Sequence, residues 1–303
     1  MSTCALLNDR FGLTDQLRFV AGPGGLVVAE AGNDAGRASV ALHGAHVLSF
    51  EPRGERPVLW LSRRSWFAED KPIRGGIPVC WPWFGAHPSD ASRPSHGFAR
   101  LSRWEVLETA AVSSTETLLR LGLRASEASR RFWPEDFTAE VVLRVGRSLD
   151  VALVMRNTGR SPWTTSAALH SYFAVSDVTR VRVLGLDGAA VVDTVGADRT
   201  PRPQRGPVTV AAETDLVFTG VTGDALIEDD LWQRRVRIRT AGSRSAVVWN
   251  PWVAKAQRLQ DFADDEYPGM LCVETANIFS DARALPPGSE HCLQATISTE
   301  PLP

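Results

Sequence analysis

Residues 137–156 carry the pattern that most restricts what this chain can become. Val141, Leu143 and Val145 alternate with their neighbours, Gly146-Arg147-Ser148 follows, and then Leu149, Val151 and Leu153 alternate again. Period two on both sides of a three-residue, glycine-containing connection specifies a β-hairpin with one buried face. Similar strand-length runs, rich in β-branched residues and bounded by Gly, Pro, Asp or Asn, occur at 26–29, 38–42, 46–50, 58–61, 118–123, 181–184, 208–210, 236–239, 246–249 and 271–274. Helical signals are few, and the best of them, 254–262, is short. Many closely spaced strands with almost no helix predict an all-β, antiparallel sandwich or barrel rather than a βαβ sheet. At 303 residues the length allows one or two domains, but no linker, repeat or low-complexity tract divides the chain, so a single domain over 1–303 is expected.

Charge narrows the partners. Lys and Arg total 33 against 35 Asp and Glu, a net of −2, so no global field draws in nucleic acid or an anionic membrane, and any anion site must be local. The opening ten residues place Asp9 and Arg10 where a secretory signal needs unbroken apolar sequence, and no later run is long enough to span a bilayer; the cytoplasm is the expected compartment. Cys4, Cys80, Cys272 and Cys292 show no C-x-x-C spacing, which predicts buried thiols rather than a zinc or redox motif. His43 and His46 are the nearest thing to a metal-ligand pair, and core or rim histidines explain them better. Only two lysines occur, Lys71 and Lys255, both beside the segments described next; chance and a need for a compact, rotatable ammonium both remain open.

Four segments carry chemistry. In 71–85, three prolines and the pair Gly75-Gly76 exclude a regular helix or central strand, while Arg74 offers a planar fork suited to phosphate or carboxylate; a glycine turn with a solvated Arg is the alternative. Ser95-His96-Gly97-Phe98-Ala99-Arg100 adds a second Arg that could share one dianion, although His96 alone reads more readily as a satisfied loop or core histidine than as a catalyst. His170 stands in the apolar stretch 167–173, where a titratable ring must be hydrogen-bonded or used. Glu274 ends a hydrophobic run at 270–274; it is either paired and buried or a strand-end carboxylate at a solvated rim. Trp249-Asn250-Pro251-Trp252 supplies rigid aromatic faces of the kind that hold sugar rings, or that fill cores.

Taken together and in this order, these segments resemble the glucose-6-phosphate 1-epimerases, or hexose-6-phosphate mutarotases, of the aldose 1-epimerase superfamily. The resemblance runs from about residue 26 to 297 and is most specific at the Arg74 glycine–proline segment, the 96–100 loop and Val273-Glu274-Thr275. It implies a galactose-mutarotase-like supersandwich of antiparallel sheets, with no metal or organic cofactor. Residue by residue, it implies that His170 is the general acid, Glu274 the general base, Arg74 and Arg100 the phosphate-binding arginines, Asp215 a ligand of sugar hydroxyls and His96 part of the substrate loop. A monomeric enzyme acting on a small sugar phosphate is the expectation.

The residue types suit that chemistry independently. Opening a cyclic hemiacetal needs a base for the anomeric hydroxyl proton and an acid for the ring oxygen, and a glutamate ionised at pH 7 with a histidine titrating near it would start in the required states after modest tuning. A non-catalytic sugar-phosphate-binding sandwich is the main rival. A glycosidase would need two carboxylates, of which only Glu274 is nominated, and an epimerase of unphosphorylated aldoses would leave Arg74 and Arg100 without a purpose.

Overall fold

Alternation along the strands divides their side chains between two apolar layers. The computed structural model describes residues 1–303. Two eight-stranded antiparallel sheets face one another. The first runs, edge to edge, through Val181–Leu184, Ala225–Asp229, Arg234–Ala241, Glu290–Pro301, Leu149–Asn157, Phe137–Val145, Glu116–Arg124 and Glu105–Ser113. The second runs through Arg202–Pro203, Ala190–Asp193, Thr214–Thr219, Ser245–Asn250, Met270–Asn277, Ala167–Leu169 and Val79–Cys80, with Tyr172–Ala174 also paired to Met270–Asn277. A four-stranded sheet, Leu17–Ala21, Val27–Gly32, Gly36–Ala41 and His46–Pro52, closes one flank. This is the antiparallel supersandwich expected from the sequence.

The largest apolar cluster fills the space between the sheets, taking Val151, Leu153 and Ile238 from one and Phe218, Val248, Leu271 and Val273 from the other. The intervening residues of the second sheet face the opposite way. Cys80, Ala168, Tyr172, Val217, Val247, Trp249, Met270, Cys272 and Ala276 form a separate cluster, capped by Ala256 and Phe262. It is this second face that carries Glu274, between Cys272 and Ala276 on a period-two strand.

Several local expectations need correction. The helix expected over 254–262 is instead one short turn, Trp252–Ala256, which stops in a series of turns. A nine-residue helix, Thr3–Phe11, was not foreseen; Ser2 caps it through Ala5 N, and Asn8 locks it to both backbone groups of Phe19. In the apolar runs 58–61 and 208–210, Val58, Leu59, Val208 and Val210 are buried, but the segments form only isolated bridges. Cys80 and Cys272 are buried as expected, whereas Cys4 is half-buried and Cys292 exposed. No helix is long and apolar enough to cross a membrane.

Candidate active site

Register brings the first pair together. Ala167–Leu169 pairs with Asn277–Thr275, and after an interruption Tyr172–Ala174 resumes against Cys272–Met270 in the same frame, so His170 falls directly opposite Glu274. At the interruption Ser171 N turns back to the carbonyl of Leu169 at 2.9 Å instead of crossing to the partner strand, while Ser171 O still accepts from Val273 N. His170 Nε2 lies 3.3 Å from Glu274 Oε1, with side-chain exposures of 11% and 1%. Glu274 is therefore in the middle of its strand rather than at a strand-end rim. Its Oε2 and His170 Nδ1 are buried with no partner within the protein, and so is Arg100 Nε. Unpaired buried polar atoms are costly, and the contacting His170–Glu274 pair carries two of them, which a ligand's polar groups could satisfy.

The loops supply the cations. Gly75 and Gly76 take positive φ (108° and 61°), and a Cβ on Gly76 would sit 2.0 Å from the Val47 carbonyl oxygen, so only glycine lets the segment pass this close to the His46–Pro52 strand. His46 Nε2 bonds to Gly75 O at 2.7 Å, and burial pushes that ring down to about 3, which keeps it neutral. Arg74 then reaches inward: its Nε donates to Asp261 Oδ2 at 3.2 Å, its Nη2 lies 3.1 Å from the same oxygen, and its Nη1 donates to the Tyr172 hydroxyl at 3.1 Å. Arg100 has no acidic partner; Nη2 donates to Ser95 O at 2.7 Å. His96 has φ 62°, and its Nδ1 accepts from Gly85 N at 3.3 Å, so the neutral ring carries its proton on Nε2. Burial, then the Arg100 and Arg74 charges, push His96 down to about 3, and its ring meets His170 edge-on at 5.8 Å.

Asp215 pairs across strands with Trp249, which pairs with Cys272, which pairs with Tyr172. This row is adjacent to the row that holds Val217, Val247, Glu274 and His170, so all six residues expected from the sequence gather on or over one face. Burial raises the Asp215 carboxyl, opposed by Thr194 and by the Lys255 ammonium. Lys255 itself lies 3.0 Å from Glu213 Oε1 and 5.8 Å from the Trp249 ring centre. Lys71 stays apart, half-exposed beside Asp70 and Trp66. Of the two tryptophans in 249–252, only Trp249 faces His170; Trp252 packs on Tyr267. His43 Nε2 bonds to Lys71 O, so neither His43 nor His46 faces the site. Asp261 and Tyr172 are the residues that the sequence did not nominate.

Protonation differs from the modest tuning expected. Burial holds His170 well below its ordinary value, with His96, Arg74 and Arg100 adding to the effect, and burial followed by the Asp215 charge holds Glu274 well above its own. Each shift favours the uncharged form, so the pair is poised to hold one mobile proton between Nε2 and Oε1.

The antiparallel supersandwich thus carries a buried histidine–carboxylate contact on the face of one sheet that points away from the main core. The chain belongs to the aldose 1-epimerase family, whose model matches residues 27–298. Within that class it is similar to a Salmonella typhimurium protein named "Putative glucose-6-phosphate 1-epimerase", with 37% identity over 79% of each chain. It is also similar to a Cenchrus ciliaris protein of the same name, with 33% identity over 87% of this chain and 82% of that one. A crystal structure of a "putative mutarotase" from Salmonella typhimurium superposes with a TM-score of 0.89 at 32% identity, covering 96% of both chains. A galactose mutarotase related enzyme from Lactobacillus acidophilus shares the fold at 14% identity, with a TM-score of 0.70.

Proposed function

We propose that this epimerase interconverts the α and β anomers of glucose 6-phosphate, with Glu274 and His170 as the proton-transfer couple. The observation that carries the reading is the buried 3.3 Å contact between them, beneath two loop arginines of which Arg100 has no counter-charge. The reactive form is the ion pair. Glu274 takes the proton from the anomeric hydroxyl, the C1–O1 linkage becomes the aldehyde carbonyl, and the C1–O5 bond breaks with its electrons going to O5, which takes a proton from His170 Nε2. Both oxygens are bonded to C1, so one sugar seated over the pair presents both to neighbouring groups. Rotation about C1–C2 offers the other carbonyl face, and the same two transfers run backwards. After opening, both side chains are neutral, which is the state that burial favours, so the site stabilises the ring-opened stage relative to the reactive ion pair. Asp215 and the Nε2–H of His96 are assigned to sugar hydroxyls, and Arg74 and Arg100 to the phosphate, where charge-assisted bonds fix the ring's position.

The test is direct. Freshly dissolved α-glucose 6-phosphate and, separately, α-glucose are followed to anomeric equilibrium by NMR with and without protein. The proposal expects strong acceleration of the phosphorylated sugar and weak acceleration of the free one. Binding of the phosphate ester without acceleration would make this a sugar-phosphate-binding sandwich instead.

A further inference from the structure

Tyr172 joins the two halves of this site. Its ring lies face to face with His170, with centroids 4.8 Å apart and planes inclined by 13°, and its hydroxyl accepts from Arg74 Nη1 at 3.1 Å. The side chain is 2% exposed and sits in register two residues from His170, so it has no freedom to turn away. Arg74 is fixed on its far edge by Asp261, itself 5% exposed at the side chain. Asp261, Arg74, Tyr172 and His170 are thus one contiguous, buried chain of contacts from the cation that faces the phosphate to the ring that handles the proton.

From this geometry, and resting on the phosphate and acid assignments above, we propose that the bound phosphate dianion activates the acid–base pair, with Tyr172 as the positioning residue that links Arg74 to His170. The charged groups around the His170 ring are Glu274 across the sheet, Arg74 beyond Tyr172, and Arg100 beyond His96. Two guanidiniums act on a ring that must become imidazolium to serve as acid; Asp261 answers Arg74 and Glu274 lies across from the ring, while Arg100 has no carboxylate of its own. A dianion seated on Arg74 and Arg100 cancels that repulsion when a phosphorylated substrate is present. The Tyr172 face then lies against the imidazolium, an arrangement that attracts a cation. The Arg74 bond to the hydroxyl holds that face parallel. The phosphate would then raise the rate of the chemical step as well as affinity, a coupling between two subsites of one site.

The experiment separates the phosphate from the sugar. Anomerisation of D-xylose, which lacks the sixth carbon, is followed by NMR with wild-type protein while inorganic phosphite is titrated in, with protein-free rates subtracted. The expected result is a saturable rise of about tenfold or more, within the usual range of coupling between sites. In Tyr172→Phe the ratio of rates with and without phosphite should fall to near one, while calorimetry shows 1,5-anhydroglucitol 6-phosphate still bound and thermal unfolding shows the fold retained. A wild-type enzyme that turns over glucose 6-phosphate rapidly but shows no phosphite response would overturn the proposal, leaving the phosphate as an anchor only. A Tyr172→Phe variant with the full phosphite response would remove Tyr172 from the link. Failure to turn over glucose 6-phosphate at all would instead refute the functional reading on which this one rests.

Discussion

Arg74 and Arg100 are interchangeable on a sequence page and should behave differently in the laboratory. Arg74→Ala strands Asp261, whose side chain is 5% exposed and whose cationic partner is Arg74 at 3.1 Å. Breaking a buried ion pair from one side costs ~3–5 kcal/mol, and because Arg74 retains 20% side-chain exposure the expected loss is the smaller figure of about 2–3 kcal/mol. Arg100→Ala removes one hydrogen bond to Ser95 O and leaves no carboxylate behind, for about 0.5–1.5 kcal/mol. Both variants should lose ~1.5–3 kcal/mol of transition-state binding on glucose 6-phosphate, roughly 10–150-fold in kcat/KM. Urea unfolding at pH 7 followed by tryptophan fluorescence gives the stabilities, and NMR anomer exchange gives the rates. Adding Asp261→Asn to Arg74→Ala should recover most of the lost stability and none of the lost activity, because it removes the stranded charge without restoring the phosphate contact. Equal destabilisation by the two arginine variants, or a deeper loss in the double variant, would refute the reasoning.

Other consequences follow from burial and backbone. His46 titrates at about 3 when folded against 6.5 ordinarily, so its folded-state pKa is depressed and stability must fall as pH drops through 6.5 towards 3. The stability gap between wild type and His46→Gln should therefore narrow by about 2 kcal/mol between pH 7 and pH 5, measured by urea titration; a pH-independent gap would contradict the assignment. Gly76→Ala places a Cβ 2.0 Å from a backbone oxygen at φ 61° and should cost ~3 kcal/mol or more, whereas Gly85→Ala, at φ 74° in open space, should cost only ~1 kcal/mol in the same thermal-unfolding assay. Turnover should be unchanged in EDTA, since proton transfer by Glu274 and His170 needs no Lewis acid; loss of activity restored by one divalent ion would overturn that.

How much of this was legible depended on whether the signal was local. Alternation at 137–145 and 181–184 matched the strands Phe137–Val145 and Val181–Leu184 residue for residue, because each has one core face and one wet face. Glu105–Ser113 escaped notice because it is an edge strand with little burial, and its sequence has no reason to alternate sharply. The runs 58–61 and 208–210 differ in the other direction: apolarity reports burial, and Val58, Leu59, Val208 and Val210 are buried without a ladder. In the site, His170 and Glu274 stood out as polar groups in apolar runs, yet their contact depends on the register of two strands about a hundred residues apart. Tyr172 could have been found, since a residue two places from His170 on a strand shares its face. Asp261 could not, because it arrives from a turn after a five-residue helix with no pattern pointing to Arg74. The protonation of the pair was equally hidden, for it is set by the burial of both groups together rather than by either residue type.

The central claim is that one histidine and one glutamate exchange protons with the sugar, and exchange spectroscopy at anomeric equilibrium tests it most directly. With glucose 6-phosphate at saturating concentration, the α-to-β exchange rate is measured for wild type, Glu274→Gln, His170→Asn and the double variant, alongside the affinity for 1,5-anhydroglucitol 6-phosphate. Each single variant should lose ~10²–10⁴-fold in exchange while binding the unreactive sugar phosphate nearly as wild type. The double variant should lose little more than the worse single one, because the two groups act as a unit. Near-normal exchange in either single variant, with its fold intact, would contradict the central claim.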